Sequence, residues 1–167
     1  MKLKMSLLVI TAMLLSAIGC DFGKKPEGAF KYYEYGSSTM RAYPYEFYRL
    51  EYTEENGPTL SWAKNSSDVT VIRVPEQAVQ EVTSLIEKHK LYRLKRSYSP
   101  LMDVRDGTMW HVYFRIGEHS TSCEGDNAWP SQKKYEGILA VNACFNQLIE
   151  SSQEADIIEV KDYRSVK

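Results

Sequence analysis

The dipeptide Asn56-Gly57, set between two segments of alternating polarity, constrains the fold more than any other feature of the sequence. Residues 45–53 alternate between apolar and polar side chains, as in a half-buried strand. Asn and Gly tolerate the positive φ angles of a tight hairpin turn, and Leu60 and Trp62 resume the apolar pattern after them. The two segments are therefore predicted to pair as antiparallel strands.

The remaining sequence combines short strand-like segments with two amphipathic helices. In residues 108–116 every second residue from Trp110 is apolar, which predicts a strand with one face in the core. Apolar residues recur at three- and four-residue steps in residues 75–89 and 133–150, which predicts two helices that each bury one stripe. Further strands are predicted at residues 29–35, 69–74, 91–98, 119–123 and 157–160. This order predicts an α+β fold, with a mostly antiparallel sheet of about six to eight strands and both helices packed on one face.

Residues 1–19 have the layout of an export signal rather than of a folded element. Lys2 and Lys4 precede residues 6–18, which carry no charge, and this basic-then-apolar order is typical of a secretory signal peptide. The apolar stretch is shorter than the roughly 20 residues that a helix needs to cross a bilayer. We therefore expect residues 1–19 to be removed and the rest of the chain to fold outside the cytoplasm.

The tetrapeptide Ala17-Ile18-Gly19-Cys20 resembles a lipobox, in which the cysteine thiol receives a diacylglyceryl group before the signal is cleaved. Lipoboxes more often carry Leu and then Ala or Ser where this chain has Ala17 and Ile18. The resemblance implies a cell-envelope lipoprotein held to a membrane through Cys20, because several acyl chains suffice for stable anchoring. The alternative is an ordinary secretory signal that leaves Cys20 as a free thiol. Asp21 resembles a signal for inner-membrane retention, but the choice between inner and outer membrane stays open.

Length and charge limit what can follow the signal. Residues 20–28 lack apolar periodicity and are predicted to be a tether, and residues 29–163 have a length that suits a single domain. A formal net charge of −1 gives no indication of nucleic-acid binding. One local run is basic, and we interpret it as a solvated face, with contact to anionic membrane headgroups as the alternative. The run consists of Lys88, Lys90, Arg93, Lys95 and Arg96.

Two cysteines remain after Cys20, and two interpretations apply to them. An even number of thiols in a compartment that permits disulfides allows a bridge between Cys123 and Cys144. Alternatively, Cys144 is a small buried hydrophobe among apolar helix positions, and Cys123 is unpaired in a loop. The sequence fixes no distance between the two Cα atoms, so both alternatives stay open.

A series of short motifs runs through residues 45–150. They are, in order, Asp106-Gly107, Trp110, Ser120, Ser122, Gly125, Trp129-Pro130 and Leu148-Ile149. In this order they resemble a family of uncharacterised bacterial lipoprotein domains, and the resemblance implies an exported α+β domain without a particular activity. In physical terms, Trp129 is expected to pack under the second helix and Ser131 to cap the first amide groups of that helix.

The residue types that most often carry catalysis or bind metal show no spacing that indicates such a site. His89, His111 and His119 have no close Cys or carboxylate neighbours in a zinc-binding pattern, and no glycine loop for a phosphate or dinucleotide is present. We therefore predict no metal, no cofactor and no enzymatic activity. A further hypothesis is a hydrolase without the usual nucleophile-elbow motif. Its residues would be drawn from His111, His119, Ser120, Ser122 and Asp126.

Aromatic residues are dense in the first third of the domain and indicate a binding surface. Exposed tyrosine rings suit sugars, peptides or partner proteins, although strands of a small domain also use tyrosine to fill the core. The leading hypothesis is a noncatalytic module that binds another envelope protein through an exposed aromatic patch. The alternative is carbohydrate or small-ligand binding, which a pocket with convergent polar groups would favour. The surface is predicted to include Tyr45, Phe47, His111, Tyr113 and Arg115.

Overall fold

The computed structural model describes residues 23–39, 42–102 and 107–166, and for residues 42 and 43 it describes the backbone only. The predicted signal peptide of residues 1–19, the predicted lipidation site Cys20 and the Asp106 of the motif series lie outside the described residues. They therefore stay predictions.

Within the described residues the chain forms eight strands and two α-helices. The strands are β1 (Phe30–Thr39), β2 (Ala42–Thr53), β3 (Gly57–Lys64), β4 (Asp68–Arg73), β5 (Ser97–Tyr98), β6 (Met109–Ile116), β7 (His119–Asp126) and β8 (Ile157–Asp162). The helices are α1 (Glu76–Lys88) and α2 (Gln132–Ser151). Short 3₁₀ helices lie at Leu91–Arg93, Glu154–Asp156 and Tyr163–Ser165.

All of these strands join one sheet in the order β5-β7-β6-β1-β2-β3-β4-β8. Neighbouring strands are antiparallel except for the short parallel pair β5 and β7. The predicted hairpin is confirmed, because Gly57 pairs with Thr53 and adopts a φ of +66° that suits glycine. The α+β class and the mostly antiparallel sheet are as predicted.

Both helices cover the same face of the sheet and enclose the main core with it. Val82 of α1 and Ile138 of α2 are fully buried in one cluster with Leu50 of β2. Strand β6 adds Phe114, and Phe145 of α2 belongs to the same cluster. The apolar stripe of each helix meets the apolar side of the alternating strands, which is why both helices lie on one side. We call the opposite side of the sheet the outer face.

The predicted strand over residues 91–98 is wrong for most of its length. Leu91–Arg93 forms a 3₁₀ helix, and only Ser97–Tyr98 pairs with the sheet. The reason is the backbone of Lys90, which adopts a left-handed φ of 53° after α1 and turns the chain sharply. Leu91 is thereby buried in the core instead of continuing an extended segment.

Strand β1 is longer than predicted. The prediction ended it before Gly36, whereas the strand runs on to Thr39. Gly36 pairs with Phe47 on one side and with His111 on the other, so pairing on both sides holds the glycine in the sheet. Tertiary pairing thus overrides the weak strand preference of glycine.

The segment predicted as a tether is packed against the domain from residue 23 onwards. Pro26 is buried, and Gly28 lies so close to the β6–β7 turn that a Cβ atom there would come within 2.9 Å of the Gly117 Cα atom. The amide of Gly117 donates a hydrogen bond of 2.8 Å to the carbonyl of Ala29. The start of the described chain is therefore fixed on the domain rather than free of it.

The aromatic-proline motif belongs to a column of rings at the start of α2. Trp129 stacks on Trp110 with ring centroids 5.0 Å apart and lies 4.7 Å from the Tyr135 ring, and it remains 39 % exposed. Trp110 Nε1 donates a hydrogen bond of 2.9 Å to the carbonyl of Ala128. Ser131 precedes the helix, but among the described residues its side chain makes no capping hydrogen bond, contrary to the prediction. Ring stacking, not capping by Ser131, positions this end of α2.

Candidate binding site on the outer face

The centre of the outer face is a row of polar side chains on adjacent strands. Glu34 of β1 pairs with Arg49 of β2 on one side and with Tyr113 of β6 on the other. Directly paired residues point to the same side of a sheet, so these side chains are neighbours. His111 lies two residues before Tyr113 and therefore on the same face.

The Glu34 carboxylate lies at the centre of a hydrogen-bonded network. His111 Nε2 lies 3.1 Å from Glu34 Oε1, and Arg49 Nη1 donates to Glu34 Oε2 at 2.9 Å. Arg49 Nη2 donates to Glu51 Oε1 at 3.0 Å. Only 16 % of the Glu34 side chain is exposed, so its partners largely cover a carboxylate on the outer side of the sheet.

Two opposing effects act on the ionisation of Glu34. Burial raises the pKa of this carboxyl group, because it disfavours the charged form. The hydrogen bonds and positive charges of His111 and Arg49 outweigh burial, and the net result is a pKa of Glu34 below its ordinary value. Glu34 is therefore ionised at neutral pH and holds both partners in position.

Aromatic rings flank this network. The His111 and Tyr113 rings stack with centroids 4.6 Å apart, and the Tyr113 hydroxyl donates to Glu124 Oε1 at 2.6 Å. Burial and then the bond to Glu124 raise the pKa of Tyr113, so its hydroxyl remains a hydrogen-bond donor at neutral pH. On the β2 side, the Arg49 guanidinium lies 4.9 Å from the centroid of the Tyr32 ring, a cation–π contact.

The position of His111 depends on a glycine in the neighbouring strand. A Cβ atom at Gly36 would lie 2.3 Å from His111 Cε1. Because Gly36 has no side chain, the imidazole reaches across β1 and meets Glu34. The glycine that interrupts the aromatic run of β1 is thus part of the site.

These side chains line a groove of about 630 Å³, which we call the outer-face groove. Its centre is formed by Tyr32, Glu34, Arg49, His111, Tyr113 and Glu124. Small-molecule sites have volumes of roughly 300–1,000 Å³ and combine apolar surface with a few convergent polar groups. The outer-face groove has both properties.

The predicted surface residues fall into different environments. His111 and Tyr113 lie in the groove and are partly exposed. Tyr45, which is 41 % exposed, and Arg115, which is exposed, do not line it. Phe47 contributes to the groove wall but is only 2 % exposed, so the prediction of an exposed ring at this position is wrong.

Phe47 is buried because the end of the chain folds over this part of the outer face. The ring of Tyr163 meets Phe47 edge-on at a centroid distance of 5.1 Å. Ala63 and Val69 complete this second, smaller cluster, and Val166 packs against it. The signal that could have indicated this burial is the pair of apolar residues Tyr163 and Val166 beyond the last predicted strand.

Sequence reasoning missed the acidic and basic residues that organise the groove. Glu34, Arg49 and Glu124 were not proposed as site residues, although Glu34 and Arg49 carry opposite charges in adjacent strands. Recognising the pair requires the register between β1 and β2. No short turn signal such as Asn-Gly links these strands, so the sequence does not specify that register.

The residues of the hydrolase hypothesis do not form a triad around His119. His119 Nε2 lies 3.0 Å from the hydroxyl of Thr121, and its ring lies near the rings of Phe114 and Tyr92. His119 and Asp126 occupy opposite ends of β7, which at about 3.4 Å per residue separates them by roughly 24 Å. In residues 23–39, 42–102 and 107–166, no group of three or more His, Cys, Asp or Glu side chains is placed to hold a metal ion.

Cys123 and Cys144 are buried free thiols, so the disulfide alternative is not realised. Both belong to the main core, Cys123 on β7 and Cys144 on α2. Burial is the main cause that raises the pKa of each thiol to about 12. The interpretation as a small buried hydrophobe therefore describes Cys144. The prediction that Cys123 lies in a loop is wrong, because Cys123 is fully buried in β7.

A scan of the chain against protein-family models gives no match, and a search of curated proteins gives no significant one. The family resemblance drawn from the motif series thus stays a prediction. No helix formed by the described residues combines the length and the hydropathy that crossing a bilayer requires.

Proposed function

We propose that this chain is a cell-envelope lipoprotein whose domain binds a polar ligand of carbohydrate type in the outer-face groove and does not transform it. The observation that carries the proposal is the network around Glu34. There a largely covered carboxylate holds Arg49 and His111 at 2.9 and 3.1 Å. Groups that are ordered before a ligand arrives lose little conformational entropy when it binds.

The envelope location rests on the N-terminal sequence. Lys2, Lys4 and the uncharged residues 6–18 support export, and Cys20 supplies the thiol for lipidation. Metabolic labelling with a fatty-acid analogue tests this part. Wild-type protein is expected to take up the label and a Cys20→Ser variant is not, whereas unlabelled wild-type protein would contradict the anchor.

The composition of the groove favours a hydroxyl-rich ligand with an apolar side, as in a saccharide. Tyr32 and Tyr113 supply ring surface that suits the C–H side of a sugar. Glu124 and Asp126 supply acceptors, and Ser99 supplies a hydroxyl that both donates and accepts. Rings and alternating donors and acceptors therefore line the same concave surface.

The ionisation of the groove residues supports binding rather than acid–base catalysis. A general acid or base works best when its pKa lies near the operating pH. The pKa of Glu34 is lowered by its hydrogen bonds against the effect of burial, and burial raises the pKa of Tyr113. Both shifts move the groups away from neutrality, which favours a structural role for their charges and protons.

A glycan array with the folded full chain in detergent tests the ligand class, followed by calorimetry of any sugar that binds. A Tyr113→Ala variant is expected to weaken binding about tenfold or more, equal to about 1.4 kcal/mol, because it removes a ring and the donor to Glu124. Tyr45→Ala is the matched control, since Tyr45 is an exposed tyrosine outside the groove lining. No binding on the array, or equal losses in the two variants, would refute the proposal.

A second candidate is a protein ligand, and exposed apolar side chains of the groove lining and of the segment that follows Ser99 favour it. Met109 lines the groove and is 59 % exposed, and Leu101 and Met102 are fully or largely exposed shortly after the lining residue Ser99. A photocrosslinking residue at Met109 in the native envelope tests this candidate. A captured protein that is lost in a Leu101→Ser/Met102→Ser variant and retained in Tyr113→Ala would favour a protein over a saccharide.

A further inference from the structure

Basic side chains from three separate parts of the chain meet on one surface around Gly23. Arg93 reaches this point directly, because its Nε and Nη2 atoms donate to the Gly23 carbonyl at 3.0 and 2.8 Å. Lys134 of α2 donates to the carbonyl of Arg93, and the Lys133 carbonyl lies 2.9 Å from His89 Nδ1. We call this the basic surface. It comprises Lys24, Lys25, Lys88, Lys90, Arg93, Lys95, Arg96, Lys133 and Lys134.

Among the described residues, fewer acidic than basic side chains lie at this surface. Glu87 pairs with Lys25 at 2.9 Å, and Glu27 and Glu118 line the same cavity as Lys24 and Arg96. The pKa of Lys134 is lowered first by burial and also by repulsion from Arg93 and Lys95, which indicates a positive local potential. Every lysine and arginine of the basic surface except Lys134 is exposed.

A cavity of about 900 Å³ opens within the basic surface. Lys24, Lys25 and Arg96 line it together with the hydroxyl groups of Ser120 and Ser122. Cationic and hydroxyl groups around a concave surface suit phosphate oxygens. The cavity borders Gly23, so it lies where the described chain begins.

The position of Gly23 relates this surface to the proposed anchor. Cys20 precedes Gly23 by three residues, and a fully extended chain spans about 3.5 Å per residue, so the two are at most about 10 Å apart along the chain. This distance is about one Debye length at 0.1 M salt. An acylated Cys20 would therefore hold the basic surface within electrostatic range of lipid headgroups.

We propose that the basic surface docks the domain on anionic phospholipid headgroups and thereby fixes its orientation on the membrane. The inference rests on the proposed anchorage through Cys20 and adds to it a second, electrostatic contact. Lys95 and Arg96 of the basic surface directly precede β5 at one edge of the sheet, so in this orientation the opposite edge strand, β8, lies away from the bilayer.

Lysine acetylation of the full lipidated chain in vesicles tests the docking. One preparation uses phosphatidylcholine alone, and the other uses equal parts of phosphatidylcholine and phosphatidylglycerol. Lys88, Lys90, Lys95 and Lys133 are expected to react about fivefold or more slowly on the anionic vesicles. Lys64 on β3 and Lys161 on β8 lie toward the edge of the sheet opposite β5, and they are expected to react equally on both. The protection is expected to disappear at 1 M salt, where the Debye length is about 3 Å.

A pair of variants separates charge from other causes of protection. Lys88→Gln/Lys90→Gln/Lys95→Gln removes three exposed cations of the basic surface, and Lys133 is expected to lose its protection in this variant. Lys64→Gln/Lys161→Gln is the control and is expected to leave the protection of Lys133 unchanged.

Flotation of the same vesicles distinguishes the two proposals. Protein that floats with neither vesicle type refutes the anchor, and the docking with it. Protein that floats with both types while its lysines react equally on both refutes the docking and leaves the anchor intact. Protection of the lysines by a soluble polyanion but not by anionic vesicles would also overturn the docking.

Discussion

Glu34 is the residue on which the order of the outer face depends, and its ionisation links that order to pH. Its pKa is lowered in the folded state, because the bonds from His111 and Arg49 outweigh burial. At a pH above 4.5, the ordinary pKa of this group, the carboxyl is ionised in both the folded and the unfolded chain. The interactions of Glu34 then stabilise the folded state to their full extent. As the pH falls below 4.5, the unfolded chain takes up the proton first. The stabilisation is therefore lost progressively as the pH falls from 4.5 to the lower pKa of the folded state.

The substitution Glu34→Gln tests this dependence. The variant is expected to have a lower free energy of unfolding than the wild type at pH 7, because Arg49 and His111 lose a charged partner. That difference is expected to shrink as the pH falls through 4.5, which urea unfolding at a series of pH values measures. Glu118→Gln is the control, since the Glu118 side chain is 98 % exposed. A difference that stays constant with pH would show that the Glu34 pKa is not lowered.

The Tyr33 hydroxyl is a buried polar group that destabilises the core. The side chain is fully buried against Phe114, and its hydroxyl has no hydrogen-bond partner among the described residues. An unpaired buried polar group costs about 1–3 kcal/mol, so Tyr33→Phe is expected to raise the free energy of unfolding by about 1 kcal/mol. Tyr48→Phe should lower it by a similar amount, because that hydroxyl donates to Asn146 at 2.9 Å. Urea unfolding measures both, and a loss of stability in Tyr33→Phe would contradict the assignment.

At the scale of elements, the C-terminal 3₁₀ helix acts as a cover for one end of the outer face. Tyr163 packs edge-on against the buried Phe47. Tyr163→Ala is expected to cost about 3 kcal/mol, because it removes a large buried ring and opens Phe47 to water. Arg164→Ala, a change of an exposed neighbour, is expected to stay within about 0.5 kcal/mol of the wild type. Equal stabilities of the two variants in urea unfolding would show that the end of the chain does not cover the sheet.

The elements that periodicity specifies were predictable, and those that depend on tertiary contacts were not. The strand around Trp110 and the hairpin at Asn56-Gly57 follow from local patterns, and both are confirmed. Residues 91–98 contain apolar side chains that fit a strand, but the left-handed backbone of Lys90 turns the chain, and Leu91–Arg93 forms a 3₁₀ helix. Lysine rarely adopts a positive φ, so the residue type at position 90 gives no indication of this turn.

At the scale of the whole molecule, the outer-face groove is a product of strand order. Glu34, Arg49, His111 and Glu124 come from β1, β2, β6 and β7, and the groove forms because β1 and β6, which are distant in the sequence, are neighbours in the sheet. Alternation predicted that His111 and Tyr113 point away from the core, and this is confirmed. It did not specify the partners across the sheet, because register between distant strands is set by the packed core and not by local pattern.

The two buried cysteines report on the integrity of the whole fold. Burial above all raises the pKa of Cys123 and Cys144 to about 12, and the thiolate is the reactive form. At neutral pH neither thiol is expected to react with an aromatic disulfide reagent while the domain is folded. Because both belong to the main core, they should become reactive together, at the urea concentration where the tryptophan fluorescence changes.

In a Cys20→Ser variant the same number of thiols is expected to react, at the same urea concentration as in the wild type. This result would assign the reacting thiols to Cys123 and Cys144. Reaction of one of them at lower urea would mean that β7 or α2 opens by itself. Such local opening would contradict a core in which strand and helix are stabilised by the same contacts.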